Sequence, residues 1–324
     1  MNITLKENVA VRSPNWLGDA VICLPAVRNL KKFLGDRPLT VVTPEKLQGL
    51  WNQCRFVDRV ISLPNSKKMI TSVRQIRSAK IDSIFLFPNS LRVASEAVIA
   101  QIPQRIGKRG HSRRFLLTDL CPPFSFSAEK IHQKYDYIEM VRQATGESDE
   151  SLPIILENRD RVREDEIAIF PGAEYGAAKR WISERFIQTA QVLQKKTGAR
   201  IRFYGAEKDR EICDEISSQV EGSQSFAGKT TLEELIQRMA SVKLVIGNDS
   251  GAMHLASLLR TPAVALFGST EPRLTGPMSD TVTVIRKHLV CSPCFLRDCP
   301  LDFGCMKKIS VEEVVQASLA HLVE

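Results

Sequence analysis

The sequence predicts an α/β protein made of two similar domains. Short apolar runs, typical of buried strands, alternate with segments whose apolar residues recur every three or four positions, as in amphipathic helices. Strands that alternate with helices form parallel sheets covered on both faces. The alternation stops at polar, charged stretches near residues 146–150 and 157–166 and then starts again. We therefore expect two α/β domains, each with its own parallel sheet.

The first half opens with a strand at residues 9–12, a loop at 14–19 and a helix that runs to Leu34 and ends at Gly35. Pro25 lies inside this helical segment and is expected to kink or restart it, because proline lacks a backbone N–H. The remaining elements predicted for this half are strands at 39–42, 60–63 and 84–87 and a helix at 69–79.

The second half repeats this pattern. Ser183 is predicted to be the N-cap of a helix that ends at Gly198, and Thr231 with Glu234 forms a capping box for another helix. Its predicted strands are 167–170, 201–204, 244–246 and 263–267. We expect two Rossmann-like domains, residues 1–156 and 157–324, that face each other across a ligand cleft, with the last helix a candidate to pack back on the first domain.

Composition limits the classes of function. The chain has 324 residues, of which 43% are hydrophobic and 25% charged, as in a globular protein of one large or two ordinary domains. It has no uninterrupted run of 18 apolar residues and no signal-peptide core, so a cytoplasmic protein is expected. Its 8 cysteines are then expected to be reduced thiols or ligands rather than disulfides.

The chain carries 45 Lys and Arg against 37 Asp and Glu, and the excess is concentrated between residues 67 and 134. This is either a solvated surface or a contact for nucleic acid, phospholipid headgroups or an acidic glycan. Aromatic residues are sparse in this region, and we find no helix-turn-helix, zinc-finger or RNA-recognition motif. Nucleic acid is therefore the least favoured partner.

Ligands of open α/β sheets bind beyond the carboxyl ends of the strands. The loops at these ends are residues 14–19, 88–90, 171–179, 205–207 and 248–251. Those of the second half suit a phosphate, because they combine small residues, Lys179 and a helix start at Gly251. No G-x-G-x-x-G follows the first strand and no G-x-x-x-x-G-K-[ST] occurs, which argues against a dinucleotide dehydrogenase and a P-loop NTPase.

Three acids lie in these loops: Asp19, Glu207 and Asp249. Each could simply be an acid near the start of a helix, where a negative charge is stabilising. Asp249 is the unusual one, because a carboxylate should repel a phosphate bound at the same helix start. A nucleotide sugar would satisfy both features, since its diphosphate accepts from N–H groups and its hydroxyls donate to carboxylates.

Several segments resemble glycosyltransferase family 9, the ADP-heptose:lipopolysaccharide heptosyltransferases. The segments PNWLGDAVICLPAVRNLKKF, PGAEYGAAKRW and VIGNDSGAMHLASLLRTPAVALFG resemble family blocks in order and spacing. QRIGKRGHSRRFLLTD and CSPCFLRDCPLDFGCMKKIS resemble type II members, which add the second heptose. The resemblance spans nearly the whole chain. It implies a GT-B fold and an inverting transfer from ADP-L-glycero-β-D-manno-heptose to heptosyl-Kdo2-lipid A in the lipopolysaccharide inner core.

The resemblance also implies roles for individual residues. Asp19 would be the general base for the acceptor hydroxyl, and Lys179 would neutralise the leaving diphosphate without a metal or other cofactor. Asp249 would hold the donor sugar hydroxyls, Glu207 the ribose, and Thr230 would lie near the adenine. The other donor-binding candidates are Gly172, Ser250, Gly251, Ala252 and His254, the last of which could equally be a buried structural histidine.

The basic first half would bind the anionic inner core at the cytoplasmic face of the inner membrane, as a peripheral contact. The acceptor-binding candidates are Arg92, Lys108, Arg109, Arg113 and Arg114. Two departures from the family pattern are Ala177 and Ala178, where hydroxyl residues often precede the lysine, and Cys23 and Leu24, where polar residues can occur.

Four cysteines near the carboxyl end have the spacing C-x2-C-x4-C-x5-C. They are weak candidates for a zinc or iron–sulfur site, because the spacing is not that of a standard zinc ribbon. These residues are Cys291, Cys294, Cys299 and Cys305. The alternatives left open are type I or III heptosyltransferase specificity, a sugar-nucleotide or carbohydrate-binding protein without turnover, and a metal-dependent nucleic-acid-binding protein.

Overall fold

The computed structural model describes residues 3–64, 69–110, 112–122, 127, 131–156 and 163–323. The chain forms two compact units, Met1–Ile155 and Leu156–Glu324. Within the described ranges, no helix has both the length and the apolar character needed to cross a membrane.

The first unit is built on a six-stranded sheet. Its strands are β1 (Val9–Arg12), β2 (Leu39–Pro44), β3 (Arg59–Leu63), β4 (Ser83–Leu86), β5 (Gln104–Lys108) and β6 (Asp119–Cys121). Its helices are α1 (Leu17–Ile22), α2 (Leu24–Leu34), α3 (Gln48–Asn52), α4 (Met69–Ser78), α5 (Leu91–Ile99) and α6 (Lys134–Thr145).

The first sheet is parallel throughout, in the order β3-β2-β1-β4-β5-β6. Ala10 of β1 lies opposite Thr40 of β2 and Ile84 of β4. All four residues of β1 are buried, although alternate side chains of a strand point to opposite faces. Both faces of the sheet are therefore covered, which explains why its central strands are continuous apolar runs.

The second unit also contains a six-stranded sheet. Its strands are β7 (Glu164–Phe170), β8 (Arg200–Phe203), β9 (Gln224–Ser225), β10 (Val242–Asn248), β11 (Ala263–Phe267) and β12 (Val282–Arg286). Its helices are α7 (Ser183–Thr197), α8 (Arg210–Ser218), α9 (Leu232–Ser241), α10 (Gly251–Leu259), α11 (Pro272–Thr275), α12 (Gly304–Lys307) and α13 (Val311–Val323).

The second sheet repeats the topology of the first. Its order is β12-β11-β10-β7-β8-β9, again parallel throughout. When each sheet is numbered from its own first strand, both have the Rossmann order 3-2-1-4-5-6. The last helix, α13, buries Val314 and Val315 in the core of this second sheet and packs against α7. Its predicted contact with the first domain stays a prediction.

The predicted fold class is confirmed, since both units are Rossmann-like α/β domains. The helix around Pro25 is interrupted as expected: α1 ends at Ile22, and α2 begins at Leu24 with the proline in its first turn. The Thr231–Glu234 capping box is present. The N-cap prediction at Ser183 is wrong, because Ser183 is already the first helical residue and Ile182 is the N-cap.

Candidate functional site

Each sheet has a topological switch point, where the chain leaves two neighbouring strands in opposite directions. It lies between β1 and β4 in the first sheet and between β7 and β10 in the second. Parallel α/β sheets bind ligands at this point, beyond the carboxyl ends of the strands. Asp19 follows β1, Lys179 follows β7 and Asp249 follows β10. The three main candidates therefore all lie just beyond strands that flank a switch point, Asp19 in the first turn of α1 and the other two in the segments that follow β7 and β10.

The structure joins two of these candidates in one buried ion pair. Lys179 Nζ lies 2.5 Å from Asp249 Oδ2, and the two side chains are only 12% and 5% exposed. Thr270, just beyond β11, donates its hydroxyl to the same carboxylate oxygen over 2.5 Å. The lysine offsets the carboxylate charge, which explains how an acid can lie at an anion-binding helix start.

Asn248 and Trp181 hold the lysine loop against the sheet. The Asn248 side chain accepts a hydrogen bond from Trp181 N over 2.9 Å and donates to Pro171 O over 2.7 Å. The Trp181 indole donates to Ile309 O over 3.1 Å. Both side chains are buried, so these bonds are shielded from water and fix the position of Lys179. The sequence analysis did not assign them, although Asn248 precedes Asp249 and Trp181 lies two residues after Lys179.

Helix α10 begins two residues after Asp249. Ser250 is its N-cap and makes no side-chain capping bond, and Gly251 and Ala252 form the first turn. The N–H groups of a first helical turn have no acceptor within the helix and attract anions. His254, one turn further on, is buried at 5% exposure, as a structural histidine would be.

Gly172 and Glu207 lie beside neighbouring loops of the second sheet. A side chain at Gly172 would collide with the carboxylate of Asp209, which is buried and accepts from Ala206 N over 3.1 Å. Glu207 is exposed and pairs with Arg210 over 2.5 Å. Its carboxylate also lies against Gly228, two residues before the half-buried Thr230. Glu207 and the loop that carries Thr230 are therefore neighbours.

In the first domain, Asp19 lies half-buried in the first turn of α1. Its neighbourhood includes Tyr137, whose pKa is raised by burial and further by the charge of Asp19.

The loop that precedes α1 is held by Arg12, a buried residue at the end of β1. Arg12 donates to Ser13 O over 3.1 Å and to the Asn15 side chain over 3.3 Å. Burial lowers the pKa of Arg12 to about 10, so it stays charged at neutral pH.

The five acceptor-binding candidates differ in their exposure. Arg92, Arg109 and Arg114 are exposed and Lys108 is half-buried. Arg92 pairs with Glu96 over 3.0 Å, and Lys108 pairs with Asp136 over 2.6 Å. Arg113 is fully buried and donates to two backbone carbonyls, Lys108 O over 3.0 Å and Pro88 O over 2.5 Å. Its guanidinium thus shapes the loops at the ends of β4 and β5.

The four cysteines of the C-x2-C-x4-C-x5-C segment are free thiols. Cys305 is buried and the other three are partly or fully exposed. Burial raises the pKa of Cys305, and the nearby thiols at positions 299, 291 and 294 raise it further. Among the described residues, no group of three or more His, Cys, Asp or Glu side chains is arranged to hold a metal ion.

Comparison with known proteins places this architecture in a family. The model of "Glycosyltransferase family 9 (heptosyltransferase)" matches residues 69–303. Lipooligosaccharide heptosyltransferase 2 of Haemophilus influenzae is 28% identical over 308 residues, which cover 86% of this chain and 88% of the relative. Lipopolysaccharide heptosyltransferase 2 of Salmonella typhimurium is 28% identical over 305 residues, covering 86% and 87% of the two chains.

Among solved structures, ADP-heptose lipopolysaccharide heptosyltransferase II of E. coli superposes with a TM-score of 0.78 at 25% sequence identity. The match covers 98% of both chains. The family model spans most of the chain, and the relatives match over nearly their whole lengths. This chain is a glycosyltransferase and belongs to glycosyltransferase family 9, the heptosyltransferases.

Proposed function

We propose that the chain transfers L-glycero-D-manno-heptose from ADP-heptose to the inner core of lipopolysaccharide, with heptosyl-Kdo2-lipid A as the acceptor. The buried Lys179–Asp249 pair at the switch point of the second sheet carries this proposal. It provides a cation for a diphosphate and a carboxylate for sugar hydroxyls at one helix start. The relatives named heptosyltransferase 2 support the second heptose as the specificity.

The proposed reaction is a single displacement with inversion. Asp19 accepts the proton of the acceptor hydroxyl, whose oxygen forms a bond to the anomeric carbon of the heptose. The bond from that carbon to the diphosphate oxygen breaks, and ADP leaves with the electron pair. Lys179 and the first N–H groups of α10 stabilise the charge on the diphosphate. In this mechanism the Lys179 ammonium and the helix N–H groups take the part that a metal ion would otherwise play.

The donor would lie along the carboxyl edge of the second sheet. Gly172, Ser250, Gly251 and Ala252 would be near the phosphates, Glu207 near the ribose and Thr230 near the adenine. For the acceptor, the exposed Arg109 and Arg114 offer charge to inner-core phosphates and carboxylates. We also propose a cytoplasmic location with peripheral contact to anionic lipid, which salt-dependent sedimentation with anionic vesicles would test.

Mass spectrometry of reactions with ADP-heptose tests the function. Wild type and Asp19→Ala are each incubated with Kdo2-lipid A and with the same acceptor bearing one heptose. The proposal expects one heptose added only to the second acceptor, and a loss of about 10²–10⁴-fold in rate for the variant. Addition to the bare Kdo acceptor would make the specificity type I. ADP binding without any product would favour a non-catalytic sugar-nucleotide-binding protein.

A further inference from the structure

The cysteine-rich segment, residues 291–305, packs on the loop that carries Lys179. Arg297 O accepts a hydrogen bond from Ala178 N over 2.9 Å, and Phe295 O accepts one from the Tyr175 hydroxyl over 2.7 Å. Phe295 N in turn donates to Ser269 O, at the end of β11, over 2.8 Å. The segment is therefore fixed to both sides of the candidate donor site.

Tyr175 brings two cations together at this contact. Lys179 Nζ lies 4.8 Å from the centroid of the Tyr175 ring, and the guanidinium carbon of Arg297 lies 5.2 Å from the same centroid. The two cationic groups are thus at most about 10 Å apart. The ring attracts both of them, so it orients two side chains that would otherwise repel each other.

A diphosphate bound at this site would carry more negative charge than Lys179 alone can balance. Lys179 is already paired with the buried Asp249 carboxylate, which offsets part of its charge, so Lys179 alone balances only part of the charge of a diphosphate. A sugar nucleotide carries a negative charge on each phosphate, and the charge on the diphosphate grows as ADP leaves. Arg297 is exposed. Its backbone carbonyl is held by Ala178 N, and its guanidinium lies over the Tyr175 ring.

We infer that Arg297 is a second diphosphate-binding residue, delivered to the donor site by the cysteine-rich segment. The inference rests on the proposed use of an ADP-sugar donor. Arginine suits this role because its planar fork donates two hydrogen bonds to phosphate oxygens and its flat face stacks on an aromatic ring. This assigns the segment a function that needs no bound metal: it supplies a side chain and supports the Lys179 loop.

Calorimetric titration of ADP and AMP into the full-length chain tests this inference. In Arg297→Gln, we expect ADP affinity to fall by about 10- to 100-fold, as for a lost hydrogen bond to a charged group, and AMP affinity to fall less. Arg297→Lys should give an intermediate loss, since it keeps the charge but not the fork. Arg200→Gln is the matched control, because Arg200 is exposed and pairs with Glu164 at the amino end of its strand.

The tyrosine provides an independent variant. Tyr175→Phe keeps the ring and should bind ADP within a few-fold of wild type, whereas Tyr175→Ala should weaken binding like Arg297→Gln. Thermal melting of each variant checks that the fold persists. ADP affinity of Arg297→Gln within twofold of wild type and of the control would overturn the inference while leaving the proposed function intact. No ADP binding by the wild type would overturn both.

Discussion

At the scale of single residues, the pairing of Lys179 with Asp249 is the feature that gives the site its chemistry. Each side chain alone would be costly to bury, because a desolvated charge without a partner loses its interaction with water. Together, and with the Thr270 hydroxyl on the same oxygen, they form a compact polar group at the start of α10. The roles predicted for them thus depend on each other, since removing either side chain leaves the other charge buried without its ion-pair partner.

The ion pair leads to a prediction about stability. Lys179→Met leaves Asp249 buried without its cation, so we expect the free energy of unfolding to fall by about 3–5 kcal/mol. Lys243→Met is the control, because Lys243 and Asp165 form an exposed pair at 2.8 Å, and we expect a loss of about 1 kcal/mol or less. Urea unfolding at neutral pH measures both. Adding Asp249→Asn to Lys179→Met should recover part of the loss, and equal costs in the two lysine variants would contradict the prediction.

At the scale of elements, short loops and turns at the carboxyl edge of the second sheet are joined by specific contacts. A side chain at Gly176 would collide with the carbonyl of Arg297, so only glycine allows the cysteine-rich segment to approach the Lys179 loop. Likewise, Glu271 caps α11 and accepts from Arg286 of β12 over 2.7 Å, which ties that turn to the sheet. Such contacts set the positions of loops that have little regular structure of their own.

Gly176→Ala should separate the cysteine-rich segment from the Lys179 loop. We expect a loss of stability of about 1–3 kcal/mol from overpacking and an ADP affinity lower by about tenfold. Gly146→Ala is the control: Gly146 has a positive φ of 78° but no atom within 4 Å of an added Cβ. It should lose about 1–2 kcal/mol from strain and bind ADP normally. Unchanged ADP binding in Gly176→Ala would show that this contact does not position the donor site.

The Glu271 contact predicts a dependence on pH. Burial opposes ionisation of Glu271, but hydrogen bonds from Arg286 and Arg273 outweigh it and lower the pKa from 4.5 to about 2. A carboxyl whose pKa is depressed by folding stabilises the fold above its unfolded pKa, and this contribution is lost as the pH falls from 4.5 towards 2. After allowance for solvent screening, we expect a contribution of about 1–2 kcal/mol at pH 7.

Urea unfolding of wild type and Glu271→Gln between pH 7 and pH 3 measures this contribution to the free energy of unfolding. The two curves should differ most at pH 7 and converge as the pH falls below 4.5. A difference that stays constant over this range would mean that the variant loses packing rather than a titrating ion pair.

At the scale of the whole molecule, the two sheets have the same strand order, and each unit has a core of its own. All donor-binding candidates lie in the second unit, while Asp19 and the acceptor-binding candidates lie in the first. We therefore predict that ADP binds to the second domain and stabilises that domain alone.

Hydrogen exchange checks where ADP acts. At an ADP concentration 100 times its dissociation constant, the binding domain should be stabilised by about 2.7 kcal/mol. Protection should rise in the second domain, above all in β7 and β10, and change little in β1 and β4. The Asp19→Ala variant should give the same pattern, since Asp19 is assigned to the acceptor. An equal rise in both domains would contradict the assignment of ADP to the second.

The sequence alone determined the fold class, the central strands of both sheets, the capping box at Thr231 and the loops that hold the candidate residues. It could do so because a strand buried on both faces is a continuous apolar run, and because a capping box is a contact between near neighbours in the chain. The outer strands β5, β6, β9 and β12 were not predicted. Strand β9 has only two residues, too few for a periodic signal, whereas β12 (VTVIR) does carry the β-branched apolar pattern of a strand and was overlooked.

Only the tertiary structure decided how the candidate residues are partnered. It paired Lys179 with Asp249, buried Arg113 against backbone carbonyls, and placed Arg297 on Tyr175, a residue far from it in the sequence. Except for the bond from Arg113 to Lys108 O, these contacts join residues that are distant in the sequence, and hydrophobic periodicity reports only which face of a local element is buried. Charge pairing across loops depends on where the folded sheet brings the ends of its strands together, and no local pattern encodes that.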